Sequence, residues 1–125
     1  MQDSLSDFFT RIRNACLIRC QTVQVPSTQI NQKIIQILIR HGFIQCFENC
    51  NHSLICTLKY NQNKPLITQI RRLSRPGCRM YVAYSQIPQI CGQLGILFIS
   101  TSRGILTDRE ARQFGIGGEL LGFVC

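Results

Sequence analysis

Nowhere in this 125-residue chain does an apolar run approach the roughly 20 residues that a helix needs to cross a bilayer. The start, Met1-Gln2-Asp3-Ser4, has no basic region followed by an apolar stretch, so no secretory signal is expected, and it lacks the Arg- and Ser-rich texture of a transit peptide. Acidic residues are few, six against fourteen basic ones, which leaves a net charge of +8. The spacing Cys-x-x-Cys is absent among the eight cysteines. Cys46, Cys50, His52 and Cys56 form the one local cluster, and it fits no familiar zinc knuckle. No metal site is therefore expected; the cysteines read as small apolar residues in a reducing compartment. No Ser or Cys lies in a nucleophile-elbow pattern, and His41 and His52 are both remote in sequence from the Ser-rich loop. Gly117 and Gly118 are not followed by Lys-Ser/Thr, so they do not form a nucleotide-phosphate loop. Catalysis, a cofactor and a small-molecule substrate all lack a sequence signal.

The chain is 45% apolar, which allows a packed core and argues against disorder. Eleven of the fourteen basic residues are Arg. A guanidinium is a planar fork that fits phosphate and stacks on bases, whereas an ammonium is a point charge. A polyanion is the natural partner, and nucleic acid is the commonest one.

Asp3 to Cys20 reads as an amphipathic helix, with Leu5, Phe8, Phe9, Ile12 and Cys16 on its apolar stripe and Ser4 with Asp7 as a capping arrangement. Thr22 to Val25 alternates and ends at Pro26, a short strand. Ser27 is placed to cap a second helix, with Ile30, Ile34, Ile37 and Leu38 inward and Gly42 just past its end. Phe43 to Glu48 and Ser53 to Tyr60 make a hairpin in which Leu54, Cys56, Leu58 and Tyr60 share a face. Asn61 to Pro65 is the best linker. Beyond it, Leu66 to Leu73 alternates loosely, Ser74 to Gly77 is a turn signature, Arg79 to Tyr84 reads as a strand, and Ile87 to Cys91 as a short helix start or loop. Ile96 to Ser100 and about Glu119 to Cys125 are the last strands. The fold class is α+β in two small lobes: residues 1–62, ordered α-β-α-β-β, and residues 63–125, mostly antiparallel β with a short helix.

Between the last two strands lies "STSRGILTDREARQFGIGGE", Ser100 to Glu119. Thr107 to Glu110 is a capping box, and Gly115 stops its helix within two turns. If the flanking strands are antiparallel neighbours, Ser100, Thr101 and Ser102 meet Gly117, Gly118 and Glu119 at one end of a sheet. Hydroxyls and bare backbone suit close approach to base edges, ribose hydroxyls and phosphates of a folded RNA. A loop that merely caps its own helix is the plainer alternative, and for Thr107 and Glu110 it is the better reading.

The motifs then resemble a known family. "DSLSDFFTRIRNA", "VPST", "GFI", "LKY", "SRPGCRMY" and "QIPQICGQLGILFISTSRGILTDREARQFGIGGE" follow in the order and spacing of the bacterial-type small-subunit ribosomal protein numbered eight, nearly end to end. The resemblance implies two lobes, no catalysis, no cofactor and no membrane. It implies as partners the central domain of small-subunit ribosomal RNA and neighbouring small-subunit proteins. It carries the main RNA contact to Ser100, Thr101, Ser102, Gly117, Gly118 and Glu119, with Arg79 and Tyr81. It carries a first-lobe contact to Pro26, Ser27 and Thr28, with Thr10, Arg13 and Asn14 nearby. The chain departs from the family at Ser4, where Pro is usual, in Gln residues where Lys is common, and in its final Cys125. Many Cys and few Lys look like an organellar copy, plastid rather than mitochondrial, with the bacterial cytoplasm as the alternative. A free RNA-binding regulator of the same fold and a thiol or zinc protein are the rival functions.

Overall fold

A computed structural model describes residues 4–62, 64–74, 77–88 and 95–125. The chain divides into two units, residues 2–68 and 69–125. The stretch from Asn61 to Pro65, expected as a linker, instead contains a small hairpin in which Tyr60 pairs with Pro65 and Asn61 with Lys64.

The first unit runs α1 (Ser4–Leu17), β1 (Thr22–Pro26), α2 (Gln29–Arg40), β2 (Ile44–Cys50), β3 (Ser53–Leu58), then the hairpin β4 (Tyr60–Asn61) and β5 (Lys64–Pro65). The strands form an antiparallel sheet in the order β1-β3-β2. Leu5, Phe8, Phe9, Ile12 and Cys16 are buried along α1 as their spacing predicts. The expected capping by the Ser4 side chain lies outside what the structure describes. In α2 the buried set is Asn31, Ile34, Ile35, Ile37 and Leu38, whereas Ile30, expected inside, is 45% exposed. The cap also differs: Thr28, not Ser27, accepts from the Asn31 amide at 3.1 Å. The Ser27 hydroxyl accepts instead from the Gln32 side chain at 3.2 Å. Leu54, Cys56 and Leu58 of β3 face the core, and the Tyr60 hydroxyl donates to the Cys20 carbonyl.

The second unit runs β6 (Ile70–Arg72), β7 (Tyr81–Val82), a turn of 3₁₀ helix (Tyr84–Gln86), β8 (Ile96–Thr101), β9 (Gly104–Thr107), α3 (Asp108–Phe114) and β10 (Gly118–Val124). One antiparallel sheet has the order β6-β10-β8-β9, with β7 also on β10. Strand β8 is buried on both faces from Ile96 to Ile99, which is why its sequence is a continuous apolar run. Leu97, Ile99, Ile87, Ala111 and Leu120 form one core cluster. The expected strand from Arg79 to Tyr84 shrinks to two residues before the 3₁₀ turn. Strand β9 stands where a loop was expected. The segment Gln89 to Leu94, with Cys91, lies outside the described residues, as does part of the Ser74 to Gly77 turn.

The cysteines split into groups. Cys16 and Cys56 are buried. Burial pushes the Cys16 thiol up, and it pushes Cys56 up to about 12, with nearby Cys46 adding to the effect. Cys46, Cys50 and Cys78 are exposed, so they are not core fillers; β2 is an edge strand and turns both thiols outward. Among the described residues no group of three or more His, Cys, Asp or Glu could hold a metal ion.

Candidate nucleic-acid interface

In the second unit three short elements converge on one strand end. Glu119 of β10 pairs with Ser100 of β8 on one side and with Tyr81 of β7 on the other. Gly118 pairs with Val82. The hydroxyl group of residues and the Gly-Gly-Glu group, separated by 14 positions between Ser102 and Gly117, are therefore brought to one edge. A bulge between Leu120 and Gly122 shifts the β8–β10 register just beyond it, a common device beside functional sites.

The side chains at this edge differ in freedom. Tyr81 is 71% exposed. Arg79 donates to Glu119 at 2.8 Å, and the carboxylate is the more sheltered partner. Ser100 and Thr101 are half-buried and Ser102 is exposed. The Thr101 hydroxyl is engaged in its own turn: it donates to the Gly104 carbonyl at 2.8 Å and accepts from the Arg103 amide at 3.1 Å. Of the three hydroxyls, Thr101 thus shapes the loop. Buried Ser74 holds the approach to Arg79, because its hydroxyl accepts from the Met80 amide at 2.9 Å. Thr107 and Glu110 serve their helix as expected: the Thr107 hydroxyl accepts from the Glu110 amide and donates to its carboxylate, both at 3.2 Å.

Gly117 and Gly118 are required by the sheet itself. A Cβ on Gly117 would strike the Val82 carbonyl oxygen, and one on Gly118 the Ser100 carbonyl oxygen. Their bareness lets β10 lie tightly between β7 and β8.

In the first unit, Pro26, Ser27 and Thr28 bridge β1 and α2. The Ser27 amide donates to the His52 carbonyl at 3.1 Å. Asn31, fully buried, donates from its side chain to the Pro26 carbonyl at 3.0 Å and from its backbone to the Thr28 hydroxyl. Sequence reading missed this residue, since a polar position inside a helix gave no sign that it would fix the preceding loop. Thr10, Arg13 and Asn14 have i, i+3, i+4 spacing on an exposed face of α1. The Thr10 hydroxyl donates to the Ser6 carbonyl at 2.8 Å. Arg11, bonded to Asp7 at 3.0 Å and to the Gln24 carbonyl at 3.1 Å, ties α1 to β1.

Comparison with known proteins agrees along the whole chain. A family model described as Ribosomal protein S8 matches residues 3–125. The chain is 50% identical to the small ribosomal subunit protein uS8c of Anthoceros angustus, over 98% of this chain and 97% of that one. It is 48% identical to uS8c of Physcomitrium patens, over 98% and 97%. It is 46% identical to uS8 of a Synechocystis strain, over 98% and 96%. With a family match from residue 3 to the last residue and near-complete coverage of these relatives, the chain belongs to the ribosomal protein S8 family.

Proposed function

We propose that this protein is a structural, non-catalytic constituent of a chloroplast-type small ribosomal subunit. It binds the central domain of small-subunit ribosomal RNA and sits among neighbouring small-subunit proteins. The plastid stroma is its place of work; relatives named uS8c support this, and the bacterial cytoplasm is the alternative that a cyanobacterial uS8 of similar identity supports. The observation that carries the binding reading is the pairing of Glu119 with both Ser100 and Tyr81. That pairing gathers Ser100, Ser102, Arg79, Tyr81 and Glu119 into one edge of small polar groups, an exposed ring and charge. Such an edge suits base edges and ribose 2′-hydroxyls. The second contact is Pro26 to Thr28 with Thr10, Arg13 and Asn14, where an exposed hydroxyl, amide and guanidinium lie on one helix face.

Glu119 provides the decisive test. A carboxylate beside phosphates is repelled, and its removal also frees Arg79 from its 2.8 Å partner. A surface that acted by charge alone would therefore bind RNA more tightly in Glu119→Ala. If Glu119 instead accepts from an RNA donor and holds Arg79 in place, both Glu119→Ala and Ser102→Ala lose roughly 1–3 kcal/mol of binding, the range for a lost partner in a desolvated contact. Filter binding of the folded variants to small-subunit RNA measures this. Equal or tighter binding by Glu119→Ala rejects the edge as the reading surface.

A further inference from the structure

Arg103 stands at the tip of this edge, in the turn that joins β8 to β9. Thr101 pairs with Gly104 across the turn, and the Thr101 hydroxyl accepts from the Arg103 amide. Gly104 closes the turn at φ +100, a conformation that a side chain would strain. The backbone of Arg103 is therefore fixed, and its side chain is also held. Its guanidinium carbon lies over the Phe114 ring, 4.8 Å from the centroid, within cation–π range. Phe114 is the last residue of α3 and is 49% exposed. The left-handed Gly115 caps the helix immediately after it, at φ 68.

The neighbouring arginines are engaged differently. Arg79 faces the Glu119 carboxylate at 2.8 Å. Arg112 lies 3.5 Å from the Asp108 carboxylate and donates to the carbonyls of Ile87 and Pro88 at 3.0 and 3.1 Å. A carboxylate offsets a cation's charge, whereas a ring does not. A guanidinium resting on a ring also keeps the N–H donors of its rim directed outward in its own plane, the geometry that fits a phosphate.

We propose that Arg103 is the phosphate clamp of this edge, and that Phe114 is the positioning residue that holds it ready. The partner group is a phosphodiester of the RNA backbone beside the nucleotide met by Ser102 and Glu119. This rests on the reading of the edge as RNA-binding.

Filter binding of the full chain to a small-subunit ribosomal RNA transcript, at a series of salt concentrations, tests both roles. Arg103→Ala should make the log–log salt slope shallower by about one, the effect of losing one phosphate contact. Arg79→Ala should leave the slope unchanged. Arg103→Lys and Phe114→Leu each keep the charge but lose the stacked geometry. Each should keep the parent slope and weaken binding by about 2–5-fold, the size of an exposed cation–π contact. Phe114→Tyr, which keeps a ring, should bind like the parent. Arg103→Lys combined with Phe114→Leu should be no weaker than either alone. Thermal melts confirm that each variant is folded, which half-exposed positions permit. If the parent slope is steep and Arg103→Ala retains it, Arg103 is not the clamp. Full additivity in the double variant removes the positioning role of Phe114. A parent that binds RNA without salt dependence overturns the RNA reading on which the proposal stands.

Discussion

A Cβ on Gly118 would run into the Ser100 carbonyl oxygen and crowd the Ile99 side chain, and one on Gly117 would run into Val82 and Ala83. The obstacles are mostly backbone, and that of Ser100 lies in β8, which is paired on both sides, so they cannot swing aside as a side-chain tip would. Gly118→Ala should therefore lower stability by about 1–3 kcal/mol, the usual scale for overpacking a tight site. Urea unfolding measures it. An unchanged midpoint would mean that β10 can shift away from β8 without loss. Any drop in RNA binding for this variant follows from displacement of Glu119, which pairs with Ser100 one residue further on. The glycines that look in the sequence like an invitation to a ligand are first a requirement of strand packing.

At the scale of elements, β3 carries a buried thiol with a pH signature. Cys56 lies in the centre of the three-stranded sheet, fully buried, and its thiol is pushed up to about 12, chiefly by burial and then by Cys46. The unfolded thiol ionises near 9. Below that value both states hold the proton and the group has no effect on stability. From 9 to about 12 the unfolded state releases the proton and the folded state keeps it, so stability falls as pH rises. Cys16 and Tyr60 are also shifted upward and act in the same sense. The parent's urea midpoint should thus fall more steeply across this window than that of Cys56→Ala, whose slope should be reduced but not abolished. Identical slopes would assign the alkaline loss to other groups. Element by element, the sequence is legible where a pattern has one solution. The α1 stripe, the Thr107 cap with its Gly115 stop and the apolar β8 all follow from spacing and local chemistry. The pattern is ambiguous in α2, where Ile stands at 30, 34, 35, 37 and 39 and helical spacing alone cannot choose the inward face. Packing selected a stripe that includes Asn31 and Ile35 and leaves Ile30 half-exposed. Strand β9 was hidden because only Ile105 and Leu106 in it are apolar; its signal is the two-residue Ser102-Arg103 turn before Gly104, a hairpin connection rather than an open loop. Arg103 went unmarked for the same reason, since its contact with Phe114 depends on that hairpin and on where α3 ends.

For the whole molecule, the charge is distributed evenly. Residues 2–68 and 69–125 each hold seven basic and three acidic residues, so each unit has a net charge of +4. Among the described residues, Asp7 pairs with Arg11, Asp108 with Arg112 and Glu119 with Arg79, each within its own unit. Neither unit is a neutral scaffold for a charged tail, and both can meet phosphate. Each phosphate neutralised releases counterions, so affinity falls with salt in proportion to the number of phosphates engaged. Three to five contacts give a log–log slope of about −2 to −5, between the single-strand and duplex coefficients. Binding to small-subunit RNA should accordingly weaken by about one to three orders of magnitude between about 50 and about 200 mM salt. Substitutions at Arg13 and Arg103 should each reduce the slope if both units contribute, whereas Ser102→Ala should lower affinity at every salt concentration and leave the slope alone, because a hydroxyl displaces no counterion. A slope near zero for the parent would remove the polyanion reading. A steep slope that responds to Arg103 and not to Arg13 would confine phosphate recognition to the unit formed by residues 69–125, leaving Pro26 to Thr28 and their neighbours a supporting role.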